Sequence, residues 1–448
     1  MKLFNSKSRR EFIRDSALFT AGLAAAGTCP AHAAPPKIPP SEKLNIGIIG
    51  AGGRGFENLM GVKSENIVAL CDVDDDRAKA AFVKFPQAKR YRDFRRMLDQ
   101  EKSLDAVVVS TPDHTHAIAA ITAMRRGMHV YCEKPLAHSI YETRQMAKVA
   151  REMRVVTQMG QQGHAMDGSR RAVEVIRGGL IGDVTELHVW TDRPAGWWPQ
   201  GEERPVETPA VPGTLDWDLW LGPAQVRPYH PVYVPFKWRG RWDFGTGPIG
   251  DMGVHNMDTA FWALELGLPI SAEVKESGPK TADCPSLWNI MELTYPARGK
   301  RPPVKLIFYD GKKLPPAGLF HGETITDNGS LVIGSKGTLY TRTWHGGENA
   351  DDRFLLLPQK TFVGYQPPKQ SLPRAEEHHI EWIRACKGGP RTESNFGYAA
   401  TLTEGLLVGF LAQRTGKRIE WDAKNMKARG CPEADPFIRP HFRKGWEI

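Results

Sequence analysis

The segment "IGIIGAGGRG", Ile46 to Gly55, joins a short apolar run to glycines in the spacing G-x-G-x-x-G. The run reads as a buried strand, and the glycines let the backbone turn tightly and approach a bound group before a helix begins. A strand, turn and helix of this kind bury their apolar surface only as part of a parallel sheet covered on both faces. The next hundred residues supply one. "NIVALCD", "DAVVVST", "MHVYCEK" and "VVTQMG" read as strands, with Asp74 to Lys84, His116 to Arg126 and Ser139 to Arg154 as the helices between them. Residues 43–160 are therefore expected to form a doubly wound, Rossmann-type α/β domain.

The glycine turn and the helix start behind it attract a pyrophosphate, so Gly50, Gly52, Gly53, Arg54 and Gly55 are the expected cradle of a dinucleotide. Asp72 ends the next strand, twenty residues after Gly52, where it can accept hydrogen bonds from the adenosine ribose. An acid there repels a 2′-phosphate, which favours NAD. Arg54 and Arg77 leave NADP as the alternative.

Beyond Gly160 the pattern changes. After a helix near Gly168 to Gly178, strand-like runs follow in series: "TELHVWT", "NIMELTY", "PVKLIFY", "GSLVIGS", "GTLYTRT" and "RFLLLP". Strands in series imply an α+β domain on a mostly antiparallel open sheet, assigned to residues 161–448. A helix from Pro248 to Leu266 interrupts them, and helices from Ala375 to Cys386 and Asn395 to Thr415 precede the strand "RIEWD". Residues 193–247 form an insertion rich in Trp and Pro, and 395–448 a closing helix, strand and tail.

The chain of 448 residues is 41% hydrophobic, ample for two domains. Its formal charge of +9 is partly local, since Lys2, Lys7, Arg9, Arg10 and Arg14 fall in the first 33 residues against Glu11 and Asp15. The remaining excess is too diffuse to argue for nucleic acid. After residue 33 no run reaches the roughly 18 apolar residues of a membrane span, so no stable membrane anchor is expected. The start itself has the charged, apolar and small-residue order of a cleaved leader: "SRREFIR", Ala17 to Gly27, then Ala31-His32-Ala33. The paired arginines point to twin-arginine export, with residues 1–33 as signal, 34–42 as linker and a periplasmic destination. Cys71, Cys132, Cys284, Cys386 and Cys431 follow the leader, scattered and without C-x-x-C spacing, so neither a disulfide framework nor a metal site is expected.

"STPDHTHA" and "CEKPLA" each follow a strand directly, at the sheet edge where ligands bind in such folds. Thr111, Pro112, His116, Glu133 and Lys134 are the residues singled out there, although packing or capping is the plainer role for His114 and His116. "GAGGRG", "STPDHTHA" and "CEKPLA", in that order, resemble the glucose-fructose oxidoreductase, inositol dehydrogenase and rhizopine-catabolism family (Gfo/Idh/MocA), and "TLTEGLLVGFLAQRTGKRIEWD" resembles its closing helix and strand. That resemblance implies a substrate motif with an Asp and a His four residues apart, matched here by Asp251 and His255 in "GPIGDMGVHNMD". His255 is then the expected base, Asp251 its orienting or substrate-holding partner, and Lys134 the stabiliser of a developing alkoxide or a member of the proton relay. It also implies a homo-oligomer built through the second sheet.

Trp197, Trp198, Trp217, Trp220, Trp238 and Trp242 lie in the insertion beside Arg239, Arg241 and Asp243. Aromatic faces stack on sugar rings and charged groups bind hydroxyls, so a carbohydrate pocket is expected, with Trp238 and Arg239 as contacts and most of the other tryptophans as packing. Gln161 and Gln162, after the sixth strand, are weaker candidates for the same pocket. The chain reads as an exported NAD-dependent oxidoreductase acting on a sugar, polyol or glycoside. Its alternative is a redox-neutral glycoside hydrolase or lyase, in which oxidation, elimination, hydration and reduction follow in turn. A sugar-binding protein on the same scaffold is a third reading, disfavoured by an intact glycine turn, Lys134 and Asp251-His255 together.

Overall fold

The computed structural model describes Pro39 and residues 42–343, 354–374 and 377–448. The leader and nearly all of the linker lie outside the described residues, as do Ala375 and Glu376 at the expected start of a late helix.

Six parallel strands make the first sheet: β1 (Asn45–Ile49), β2 (Asn66–Cys71), β3 (Lys89–Tyr91), β4 (Ala106–Val109), β5 (His129–Glu133) and β6 (Thr157–Gly160), in the order β3-β2-β1-β4-β5-β6. The central strands are buried along almost their whole length, which is why β4 reads as an unbroken "AVVV". Five helices connect them: α1 (Arg54–Gly61), α2 (Asp75–Lys84), α3 (Phe94–Gln100), α4 (Asp113–Met124) and α5 (Ile140–Met153). Side chains start several of these. Asp74 and Asp93 cap α2 and α3, and Ser139 with Glu142 forms a reciprocal capping box on α5.

The second sheet has nine strands: β7 (Val184–Trp190), β8 (Ser271–Ser277), β9 (Asn289–Tyr295), β10 (Val304–Tyr309), β11 (Gly329–Gly334), β12 (Gly337–Thr341), β13 (Phe354–Leu357), β14 (Ile419–Asp422) and β15 (Lys427–Arg429). Their order is β13-β12-β11-β7-β10-β9-β8-β14-β15, antiparallel throughout except for β7 beside β10. Along β9 burial alternates strictly, with Met291, Leu293 and Tyr295 inward.

α6 (Asp167–Arg177) follows the first sheet, and the insertion contributes the short α7 (Trp217–Leu221). The helix expected from Pro248 to Leu266 is three consecutive segments, α8 (Gly247–Asp251), α9 (Gly253–Asn256) and α10 (Asp258–Leu264), with breaks at Met252 and Met257. α11 (His378–Cys386) and α12 (Phe396–Thr415) come last. α12 is buried on nearly every side, packing on α5 and β6 of the first sheet and on β8 and α8 of the second half. α11 turns back to the first sheet, where Trp382, Ile383 and Cys386 complete the cluster containing Ile46, Ile48 and Val108. A second, larger cluster is continuous between the two sheets.

Candidate active site

The order of the first sheet reverses between β1 and β4, and the crevice at that switch point is where ligands bind in open parallel sheets. Gly50 and Gly53 make the turn after β1 with φ of 82° and 56°, in the left-handed region that favours glycine. A Cβ on Gly55 would fall 1.6 Å from the Gly50 carbonyl oxygen, so this glycine lets α1 sit directly on the turn. Gly55 supports the cradle from behind and does not line the cavity.

Asp72, just past the end of β2, accepts the Gly52 N–H at 2.9 Å and the Asp74 N–H at 3.0 Å. Burial pushes its carboxyl up to about 6, with those two backbone donors pulling the other way. Asp72 and Arg77 both line a cavity of about 650 Å³ that begins at the glycine turn. Thr111 and Pro112 form its next wall. The Thr111 hydroxyl is buried and has no hydrogen-bond partner among the described residues. Open glycines, an acid at the end of β2 and a spare hydroxyl together fit a dinucleotide.

Glu133 ends β5 and organises the floor. Its Oε1 accepts from Arg54 Nε at 3.1 Å, Asn58 Nδ2 at 2.9 Å and Gln162 Nε2 at 3.1 Å. Burial works to raise its pKa, but Arg54, Asn58 and Lys134 outweigh it and hold the carboxyl at about 2. Arg54 therefore reaches the cavity as the partner of an ionised carboxylate.

Lys134 projects to the other domain. Its Nζ donates to Asp251 Oδ1 at 2.7 Å and to the Asp251 carbonyl at 2.8 Å. Asp251 Oδ1 also accepts from Arg239 Nε at 3.2 Å. Burial opposes ionisation of Asp251, yet the Lys134 and Arg239 charges drive its pKa far below the usual carboxylate range. His255 lies on the next helical segment and lines the same cavity. Burial first, then the Lys134 charge, lowers its pKa well below the ordinary imidazole value, so it is neutral at pH 7. The break at Met252 means that Asp251 and His255 do not share one regular helix. Both nevertheless face the cavity, because the His255 and Asn256 N–H groups still bond back to the Met252 carbonyl.

Trp238 and Gln162 line this end as well, and the Arg239 guanidinium lies 4.3 Å from the Trp238 ring centroid. Gln161 does not. Its amide donates to Asp258 Oδ1 at 2.7 Å, in a buried group that also holds His164 and Tyr398. His116 is likewise turned from the cavity, with its ring nitrogens 2.8 Å from the Pro135 and Thr111 carbonyls. It braces the two motif loops against each other. Arg241 and Asp243 also serve the scaffold: Asp283 pairs with Arg241 and Arg227, and Arg227 with Asp243. Trp217, Trp220, Tyr233 and Phe244 pack together within the insertion.

Arg193, which follows β7, escapes sequence reasoning, and Trp197 and Trp198 beside it, among the tryptophans read mostly as packing, also line the cavity. The signal available was their place just past a strand end. Asp113 also goes unnoticed, and its Oδ2 accepts the Thr246 N–H and hydroxyl at 3.1 and 2.8 Å, tying the "STPDHTHA" loop to the start of α8.

A family model described as "Oxidoreductase family, NAD-binding Rossmann fold" matches residues 44–161, and one described as "Oxidoreductase family, C-terminal alpha/beta domain" matches 170–448. A Glycosyl hydrolase family 109 protein of Solibacter usitatus is 30% identical over 202 residues, 40% of this chain and 44% of its own length. The Inositol 2-dehydrogenase of Salmonella typhimurium is 28% identical over 151 residues, 32% of this chain and 45% of its own. Both matches thus span less than half of the relative. Among solved structures, the WlbA dehydrogenase of Bordetella pertussis, crystallised with NADH and UDP-GlcNAcA, has a TM-score of 0.59 at 17% identity, covering 85% of this chain and 99% of its own. The aldose-aldose oxidoreductase of Caulobacter crescentus has a TM-score of 0.56 at 16% identity, covering 85% of this chain and 100% of its own. These likenesses are of fold.

Proposed function

The chain belongs to the Gfo/Idh/MocA oxidoreductase family, and from that premise we propose that it transfers hydride between a ring carbon of a sugar, polyol or glycoside and a tightly held NAD. One observation carries the reading: a single cavity runs from the glycine turn and Asp72 to Lys134, Asp251, Arg239 and His255. When bound, the nicotinamide supplies the hydride acceptor or donor. Neutral His255, on the cavity wall, is the acceptor assigned to the hydroxyl proton. Two of the three Lys134 N–H donors are held by Asp251, which leaves the third for the oxygen that gains charge. Asp251 fixes Lys134 and Arg239 relative to each other and to that oxygen.

The test is to purify the protein without added cofactor, denature it and quantify the nucleotide released, then to follow nicotinamide reduction with a panel of sugars. Near-stoichiometric nucleotide and reduction by a sugar are expected. An empty protein that neither binds NAD nor reduces it would overturn the proposal.

The similarity to Glycosyl hydrolase family 109 proteins favours a second reading, in which the aglycone leaves by elimination from the oxidised sugar, water adds in its place and the hydride returns to the same sugar. Release of aglycone without accumulated NADH would select it.

The leader pattern supports twin-arginine export of the folded, loaded protein to the periplasm. Unaltered processing after Arg9 and Arg10 are changed to Lys would count against it. Half-buried Ile290, Ile307, Ile333 and Leu355 share the outer face of the nine-stranded sheet and support a homo-oligomer through it. Sedimentation of Ile307→Glu as the same species as the parent would remove that support.

A further inference from the structure

The substrate end of the cavity has a lopsided polarity. Neutral sugar hydroxyls both donate and accept, and sites for them mix carboxylate or amide acceptors with donors. Here one carboxylate oxygen is already taken, because Asp251 Oδ1 receives Lys134 and Arg239. Guanidinium donors remain. Arg193 lines the cavity with its Nε buried and without a partner among the described residues, while its Nη1 pairs with Asp192. Arg193 thus keeps an unused donor edge, and Arg239, held at Nε by Asp251 Oδ1 and at Nη1 by the Phe236 carbonyl, keeps Nη2.

Both guanidinium groups are held flat. Arg193 lies 3.6 Å from the Trp197 ring centroid, and Arg239 lies 4.1 Å from that of Phe236 and 4.3 Å from that of Trp238. Stacking fixes the plane of a guanidinium and so aims its N–H fork, which suits two-point recognition of an oxyanion. Arg193 and Arg239 come from the second domain, beside Asp251, whereas Arg54 and Arg77 serve the glycine turn. The two stacked guanidinium groups are therefore not explained by the pyrophosphate.

Building on the oxidoreductase reading, we propose that the substrate is a sugar bearing an oxyanion, a carboxylate or a sulfate ester, which Arg193 and Arg239 grip beside Lys134 and Asp251. The oxyanion sits away from the carbon that reacts, and anchors the ring in the cavity.

Calorimetric titration of the protein as purified tests this with methyl glucuronide, methyl galacturonide, the 6-sulfates of glucose and galactose, and the neutral parent sugars. At least one anionic sugar should bind ten-fold or more tightly than its neutral parent at low salt, and the margin should shrink as salt rises. Whether carboxylates or sulfates bind identifies the group. Arg239→Lys keeps the charge but loses the fork, and Arg193→Met loses the charge. Each should cut the margin several-fold while retaining bound nucleotide and an unchanged unfolding temperature. If a variant does not fold, the salt dependence and the sugar series on the parent protein still decide. Equal affinity for neutral and anionic sugars would overturn the inference alone. A protein that binds the anionic sugar but never reduces its nucleotide would overturn the oxidoreductase reading and leave the inference standing.

Discussion

At the scale of single residues the central unit is Lys134 on Asp251, two mostly buried charges that depend on each other. Replacing Lys134 by Met leaves Asp251 with Arg239 and removes the donor aimed at the reacting oxygen, so kcat should fall by about a hundred- to a thousand-fold in steady-state assays. Asp72 makes a different prediction. With its carboxyl near 6, it is charged at pH 8 and largely neutral at pH 5, so discrimination against NADP should weaken as pH falls through that value. Titrating both nucleotides against the parent and Asp72→Asn at several pH values would show it, because Asp72→Asn should have lost most of the discrimination throughout. These residues were legible because their neighbours in sequence fix their place: a glycine turn, a strand end, an E-K-P. Gln161 was misplaced because sequence shows only that a residue lies in a loop, whereas which way its side chain turns depends on Asp258, and His116 takes the packing role read as the plainer one, held by the Pro135 and Thr111 carbonyls. Arg193 was invisible for the opposite reason, since its contribution comes from stacking on Trp197 and from Asp251 across the cavity.

At the scale of elements, buried strands announce themselves by apolar runs and the central ones were readable. β3, three residues reading "KRY", was not, because a short charged edge strand has no apolar face to display. β8 escaped because only its first two residues are buried and the rest alternate weakly with charge. The helix read through Pro248 to Leu266 kept its apolar periodicity while the backbone broke twice, and periodicity cannot register a break that leaves both segments facing the same core. Close contact between α1 and its turn yields the element-level prediction. Gly55→Ala must push α1 off the Gly50 carbonyl, costing about 1–3 kcal/mol and loosening the nucleotide. Thermal unfolding and nucleotide content of the purified variant would both drop.

For the whole molecule, buried histidines set the response to acid. Burial lowers His114 and His378 to about 3, and His129 and His379 to about 4, so each is neutral in the fold and takes up a proton on unfolding below pH 6.5. Asp72, raised to about 6, and Glu142, raised to about 7 by burial, act in the opposite sense, since the folded state holds their protons more firmly. At pH 5 the four imidazoles outweigh the two acids, for a net uptake of about two protons on unfolding. Stability therefore falls as pH drops from 6.5 toward 4.5, and calorimetric scans across that range should show a steadily lower midpoint; a midpoint rising toward acid would contradict these assignments. The same interior explains why the division into halves was easier to read than their union, for the return of α11 to the first sheet leaves no mark in local pattern. That return carries a consequence for biosynthesis. A ribosome delivers the glycine turn early and Trp382 very late, so the nascent nucleotide-binding half has an uncovered apolar flank for most of translation.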